Sequence, residues 1–368
     1  MPLKPVTHTL QMPVETSADA EALFEAGLQI AHHPSASYRE KAARDLEDHF
    51  FYLGAVHPEH MPILQPRLVR LSDEQLKVFS FTFSTWLYLL HGADDSCVDF
   101  LTTALNQNPG NWVRRQMLAA IGTPSALANV AVFARKHNAR NDFQSLGFNI
   151  PLDGQPAQPR FTAWRRAIKK VPFTGNRENL SQILHPVGLP LTTVVDDPIA
   201  KTISWHYLSL DLTELQGLPP LSVERLHLVS PPVDIGWTLF CDILGDGRYK
   251  VRFFERDDGD EDEGEESDAL LNEFENDSSV DLGHAQLLLY DDQLIYCNGH
   301  TMLTDGVVGD VGGPPLGLYP NPECPGCKRL MFHLLTVDSG IRSYGDGWRS
   351  LFLCEDCHLI ACTATSWN

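Results

Sequence analysis

Two Cys-x-x-Cys pairs constrain this chain more than any other feature. Cys324-Pro-Gly-Cys327 and Cys354-Glu-Asp-Cys357 are separated by 26 residues. Between them "RLMFHLLTV" (329–337) is strand-like, "DSGIRSYGDG" turns, and "WRSLFLC" (348–354) is strand-like again. A two-stranded hairpin folds its ends together, so the pairs arrive side by side. Four thiolates at about 2.3 Å then satisfy a tetrahedral Zn²⁺. Pro325 and Gly326 suit the tight turn that each knuckle requires.

Other readings compete with zinc. Cys354 to His358 also spells CxxCH, a haem-attachment pattern, but that needs an export signal and leaves the first pair without a role. Reduced, unliganded core thiols and a redox pair are the remaining alternatives. His358 or Cys362 could also replace one of the four ligands. With four protein ligands the shell is closed, so the expected ion is structural and has no position for a reactive water. Cys97, Cys241 and Cys297 are dispersed and are read as small buried hydrophobes.

Charge is the second constraint. The net charge is −20, and residues 255–281 alone hold 14 acids and one arginine. Such a run repels itself and stays solvated, as a solubilising loop or as a lure for a basic partner. In the second case Glu261, Asp262, Glu263, Glu265 and Glu266 are candidate partner-binding residues, with Leu270, Leu271 and Phe274 as apolar anchors. The acidic balance argues against nucleic acid as a ligand. "VFSFTFSTWLYLL" (78–90) is too short to span a bilayer and is expected to be a core helix. The N-terminal segment, with prolines at 2, 5 and 13, does not read as a signal peptide, which gives a cytoplasmic expectation.

Residues 1–148 read as short capped helices. Thr16 pairs with Asp19, Ser37 with Glu40, and Ser72 with Gln75 as capping residues. Gly54, Gly92 and Gly122 are expected stops. Asp94 or Asp95 starts a helix that ends near Pro109, and Thr123-Pro124 starts the last one. Stacked helices of this kind suggest a HEAT-like array, with an irregular helical domain as the alternative. His57 and His60 in "HPEH" could share a metal, but a turn with two solvated histidines is the preferred reading.

Pro-rich 149–160 lies within a linker and second-domain start, 149–180, and 181–368 reads as β-rich. Strands are expected at 222–230, 236–244 and 249–255, with Gly245-Asp246-Gly247 as a hairpin turn. A further hairpin is expected around Asp291-Asp292. The fold class is therefore α+β.

"VGGPPLGLYPNPECPGCKRLMFHLLTVDSG", followed by "YGDGWRSLFLCEDC", resembles the YwqG-like (DUF1963) family. The matching positions are Gly312, Gly313 and Pro315, then Cys324, Cys327, Met331, Phe332, Leu334 and Leu335, then Gly345, Asp346 and Gly347. Upstream, "HYLSLDLTELQGLPPL" (206–221) is similar to another segment of that family. The likeness is good over 310–360, weak over 180–255 and absent from the helical part. Thr336 stands where Gln is usual, and Trp348 where a second Gly is frequent. The resemblance implies a β-rich fold of two similar halves and a role among immunity proteins of bacterial toxin systems. It supplies no catalytic residues.

No Gly-rich phosphate loop and no nucleophile elbow appear in the chain. The expectation is a non-enzymatic binding protein, an immunity or adaptor protein with a protein partner such as a basic toxin. The alternatives are a zinc-containing hydrolase with a site between the β halves and a chaperone-like protein that binds peptides in the helical array.

Overall fold

The computed structural model describes residues 16–172, 194–195, 205–215, 218–219, 223–230, 237–245, 247–256, 285–290, 296–297, 301–302, 307–315, 321–338 and 347–365. Helices and sheets are both present, so the fold is α+β. The chain divides into two compact units. The first holds Met1–Pro159 with Gln293–Leu303 and Leu316–Pro320, and the second Arg160–Asp292, Thr304–Pro315 and Asn321–Asn368. The candidate partner-binding acids Glu261, Asp262, Glu263, Glu265 and Glu266 lie outside the described residues, as do Leu270, Leu271 and Phe274. No helix among the described residues is long and apolar enough to cross a membrane.

The first unit contains helices α1 (Ser17–Ala31), α2 (Ala36–Val56), α3 (Met61–Leu68), α4 (Asp73–Leu76), α5 (Phe83–Leu90), α6 (Asp95–Gln107), α7 (Trp112–Ile121), α8 (Pro124–Lys136) and α9 (Arg140–Gln144). Packing is mostly between near neighbours: α1 on α2, α2 on α5, α5 on α7, and α7 on α6 and α8. Thr16 with Asp19 and Ser72 with Gln75 form complete capping boxes. Asp94, Thr123 and the left-handed Gly122 also cap as the sequence suggests. A shared interior of Leu46, Phe50, Leu53, Leu64, Phe79, Trp86 and Leu89 is almost fully buried. Each such side chain stabilises the fold by about 1.5–3 kcal/mol relative to exposure.

Three boundaries differ from expectation. Ser35, rather than Ser37, caps α2 by accepting the N–H of Tyr38, and α2 passes through Gly54 to Val56. Gly54 serves close approach instead: a Cβ there would stand 3.0 Å from Cβ of Tyr88. The helix begun by Ser72 stops at Leu76, so 78–90 is not one helix. Val78, Phe79 and Phe81 are buried but non-helical. Helix α5 starts afresh because Glu47 of α2 accepts the Thr82 N–H at 2.6 Å and the Thr85 hydroxyl at 2.9 Å.

The strands are β1 (Phe148–Asn149), β2 (Gln158–Pro159), β3 (Arg165–Pro172), β4 (Val194–Val195), β5 (Trp205–Asp211), β6 (Arg225–Ser230), β7 (Trp237–Ile243), β8 (Tyr249–Arg256), β9 (Ala285–Tyr290), β10 (Tyr296–Cys297), β11 (Thr301–Met302), β12 (Val307–Gly312), β13 (Phe332–Asp338), β14 (Trp348–Cys354) and β15 (Leu359–Thr365). Nine form one sheet in the order β4-β8-β7-β15-β14-β13-β12-β3-β9. All its neighbours are antiparallel except β4 and β8. The expected hairpin around Asp291-Asp292 is not formed by the described strands. Strand β9 takes the free edge beside β3, whereas β10 pairs with β11. Asp291 and Asp292 themselves lie outside the described residues.

A separate hairpin, β5–β6, packs on β14 and β15. It repeats a feature of β13–β14. "WHYLSLD" (β5) and "FHLLTVD" (β13) both slip register at a bulge, after His206 and after His333 respectively. In each, a hydroxyl three residues on reaches back to the histidine: Ser209 to His206 at 2.9 Å and Thr336 to His333 at 2.8 Å. Each hydroxyl also bonds its cross-strand neighbour, Ser209 to His227 at 2.7 Å and Thr336 to Ser350 at 2.8 Å. All six residues are buried. Satisfied polar chains of this sort cost little when every member has a partner and fix one strand register.

Candidate metal centre

Strands β13 and β14 pair from Phe332↔Leu353 to Asp338↔Trp348, so the residues just before β13 lie beside the end of β14. Cys324 and Cys327 precede β13, while Cys354 ends β14 and Cys357 follows it. The second knuckle turns directly into β15, which pairs back along β14 from Leu359↔Cys354. Antiparallel pairing thereby places both knuckles at one end of these strands.

The four sulfur atoms all lie within 4.8 Å of one another, and Cys327 Sγ is 3.6 Å from Cys354 Sγ. Four thiolates bonded at about 2.3 Å to a tetrahedral ion are about 3.8 Å apart, so the set fits a single ion. Neither knuckle is held by a disulfide; all four cysteines are free. Cys324 and Cys354 are buried, and Cys327 and Cys357 are half-buried. Phe240, Met331, Phe352, Leu359 and Ala361 form the apolar wall around them.

Each knuckle is built in the same way. The residue after its second cysteine has a left-handed backbone, Lys328 at φ 60° and His358 at φ 49°. In the first knuckle the Lys328 N–H donates to the Cys324 carbonyl at 2.8 Å, and the Cys324 N–H to the Arg329 carbonyl at 2.8 Å. Gly326 is required by contact: a Cβ there would stand 2.9 Å from Cys357 Sγ. Burial raises the Cys327 thiol, but the backbone N–H and side chain of Arg329 outweigh this and bring its pKa down to about 7. Burial pushes the Cys354 thiol up, against the N–H of Cys357 that favours its thiolate. A cation shared by all four would replace this uneven set of thiols by thiolates.

A shell of residues that the sequence did not point to holds the site. Arg160 is buried and donates from Nε to the Leu330 carbonyl at 2.8 Å. Its two Nη atoms grip Glu355, inside the second knuckle. Burial raises the Glu355 carboxyl, and the Arg160 hydrogen bonds, the next cause, leave it below its usual range. The Arg160 carbonyl accepts the His333 N–H at 2.7 Å and, at 3.1 Å, the side-chain amide of Asn321, which also donates to the Met331 carbonyl. Arg329 pairs with Asp356 across the two knuckles. Arg160 and Glu355 are 195 residues apart in sequence, and no local signal marks such a partnership.

The alternative ligands stand elsewhere. His358 is exposed and outside the sulfur cluster. Cys362 lies on β15 opposite Leu351 and Leu239, where burial drives its thiol up to about 12. Cys97 and Cys241 are buried as expected, whereas the side chain of Cys297 lies outside the described residues. Comparison with protein-family models, curated proteins and solved structures returned no match to the chain.

Proposed function

We propose that this chain is a non-enzymatic binding protein whose β-rich unit is stabilised by a structural Zn²⁺ on Cys324, Cys327, Cys354 and Cys357. The convergence of four sulfurs from two matching knuckles carries this reading. Four thiolates complete a tetrahedral shell and leave no position at which water could be activated. The ion is then a clamp, and its binding free energy is folding free energy for the hairpin that it closes.

In this reading the helical unit is a HEAT-like array and the β-rich unit is YwqG-like. Short capped helices packed in chain succession, α1 on α2, α2 on α5, α5 on α7 and α7 on α8, support the first. The recurring bulged hairpins, β5–β6 and β13–β14, support the second. The chain then acts as a bacterial immunity or adaptor protein, and the acidic run at 255–281 attracts a basic partner such as a toxin.

Elemental analysis of the purified chain tests the metal. One tightly held zinc per chain is expected, and a metal-free folded chain would overturn the clamp. The partner is tested by co-purification with the product of a neighbouring toxin gene. Association is then measured with Glu261, Asp262, Glu263, Glu265 and Glu266 changed to Gln or Asn. Slower association at low salt is expected; an unchanged on-rate rejects the acidic lure.

A further inference from the structure

The turn after α2 gathers a second set of donor atoms, of a different chemical kind. His57 follows α2, and Pro58–His60 form one 3₁₀ turn leading into α3. In such a turn residues three apart eclipse one another. The His57 and His60 rings accordingly stack, with centroids 5.7 Å apart and planes 16° apart. Both point a nitrogen at the same oxygen of Glu59: His57 Nδ1 at 3.2 Å and His60 Nε2 at 3.7 Å. One ligand atom from each of the three residues falls within 4.8 Å of the others. Nitrogen and oxygen ligands bonded at about 2.0–2.1 Å to a tetrahedral ion are about 3.4 Å apart.

His57 is half-buried beside the exposed Glu59, whereas His60 is largely out of water. The His60 side chain is 12% exposed, and its Nε2 is buried without a hydrogen bond. Its other nitrogen, Nδ1, is 3.2 Å from the hydroxyl of Ser17 on α1. An imidazole that donates through Nδ1 presents a bare lone pair at Nε2, as metal-binding histidines do when an outer partner fixes their tautomer. A simple ion pair with Glu59 does not account for the unbonded Nε2.

We infer that His57, Glu59 and His60 bind a borderline divalent cation of the zinc class. Two imidazoles and a carboxylate leave one tetrahedral position for water or for a group from a partner. This site therefore exchanges its ion, unlike the closed sulfur set, and it stands whether or not the sulfur set is filled.

The test counts metal by difference. The full-length chain and a His57→Gln/His60→Gln variant are stripped and dialysed to equilibrium against a fixed free Zn²⁺ concentration, and bound metal is measured. The expected result is one equivalent lost in the variant, with an unchanged circular dichroism spectrum. In Co²⁺ titrations the parent-minus-variant difference spectrum should show d–d absorption without thiolate charge transfer. Ser17→Ala, which keeps all three ligands, should weaken that equivalent by about tenfold. Equal metal content in parent and variant, or a Co²⁺ spectrum the substitutions leave unchanged, overturns the assignment.

Discussion

Arg160 holds Glu355 through two parallel hydrogen bonds, Nη1 to Oε1 at 3.0 Å and Nη2 to Oε2 at 2.7 Å. Both side chains are largely out of water, at 9% and 20% exposure. The pair ties the start of the second unit to the knuckle that ends β14, so the four-cysteine cluster is held from outside as well as by its own hairpin.

Removing the cation leaves a largely buried carboxylate and an unsatisfied Leu330 carbonyl. Arg160→Met is expected to destabilise the second unit by about 3 kcal/mol, seen as a lower urea midpoint at constant slope. Arg160→Lys should recover less than half, because an ammonium cannot form the two-pronged contact. A midpoint unchanged in Arg160→Met would show that the pair contributes nothing.

Gly326 is predicted to be intolerant of even one methyl group. A Cβ 2.9 Å from Cys357 Sγ forces the knuckles apart. Gly326→Ala should weaken zinc binding by about tenfold or more in competition with a chromogenic chelator. Gly245→Ala, with nothing within 4 Å of its Cβ, is the control and should leave binding unaltered.

Acid and chelators should act on the proposed zinc clamp in the same direction. Protons compete with the ion for four thiolates, so lowering the pH should release metal. Calorimetry with and without a strong chelator at neutral pH should show a lower melting temperature for the second unit. The helical unit should shift only through loss of the ion proposed at His57, Glu59 and His60, so its transition should stay in place in the His57→Gln/His60→Gln variant.

His49 makes the helical unit acid-sensitive. Burial lowers its pKa from 6.5 to about 4, and neither ring nitrogen has a hydrogen bond. The unfolded chain therefore binds a proton that the folded chain refuses. Stability is full above pH 6.5 and falls by up to about 1.4 kcal/mol per pH unit as the pH drops toward 4. His49→Leu should flatten that slope in unfolding measured at pH 7, 6 and 5.

Glu47 caps a helix that is not its own. Glu47→Ala should cost about 1 kcal/mol and loosen the start of α5, with faster hydrogen exchange at Thr82 and Thr85.

Short-range signals were readable from the chain alone. Thr16, Ser72, Asp94 and Thr123 cap helices because a side-chain oxygen bonds an amide two or three residues away. The cysteine hairpin was readable for the same reason: its two apolar-rich strands are adjacent in sequence and joined by a Gly-rich turn. Where a local signal was present but lost, a distant group intervened. The helical run at 78–90 was divided by Glu47, and β9, read with β10 as one hairpin, pairs with β3 while β10 pairs with β11.

The residues alone determined that four cysteines could meet, that the first part is helical and that the rest is largely strand. Tertiary structure alone decided that Arg160 and Asn321 brace the knuckles, that two bulged hairpins repeat one polar device, and that His60 lost its water. Caps, turns and strand alternation act over a few residues and leave their mark in sequence. Burial and long-range hydrogen bonds depend on which distant segments the folded chain brings together, and no neighbouring residue records that.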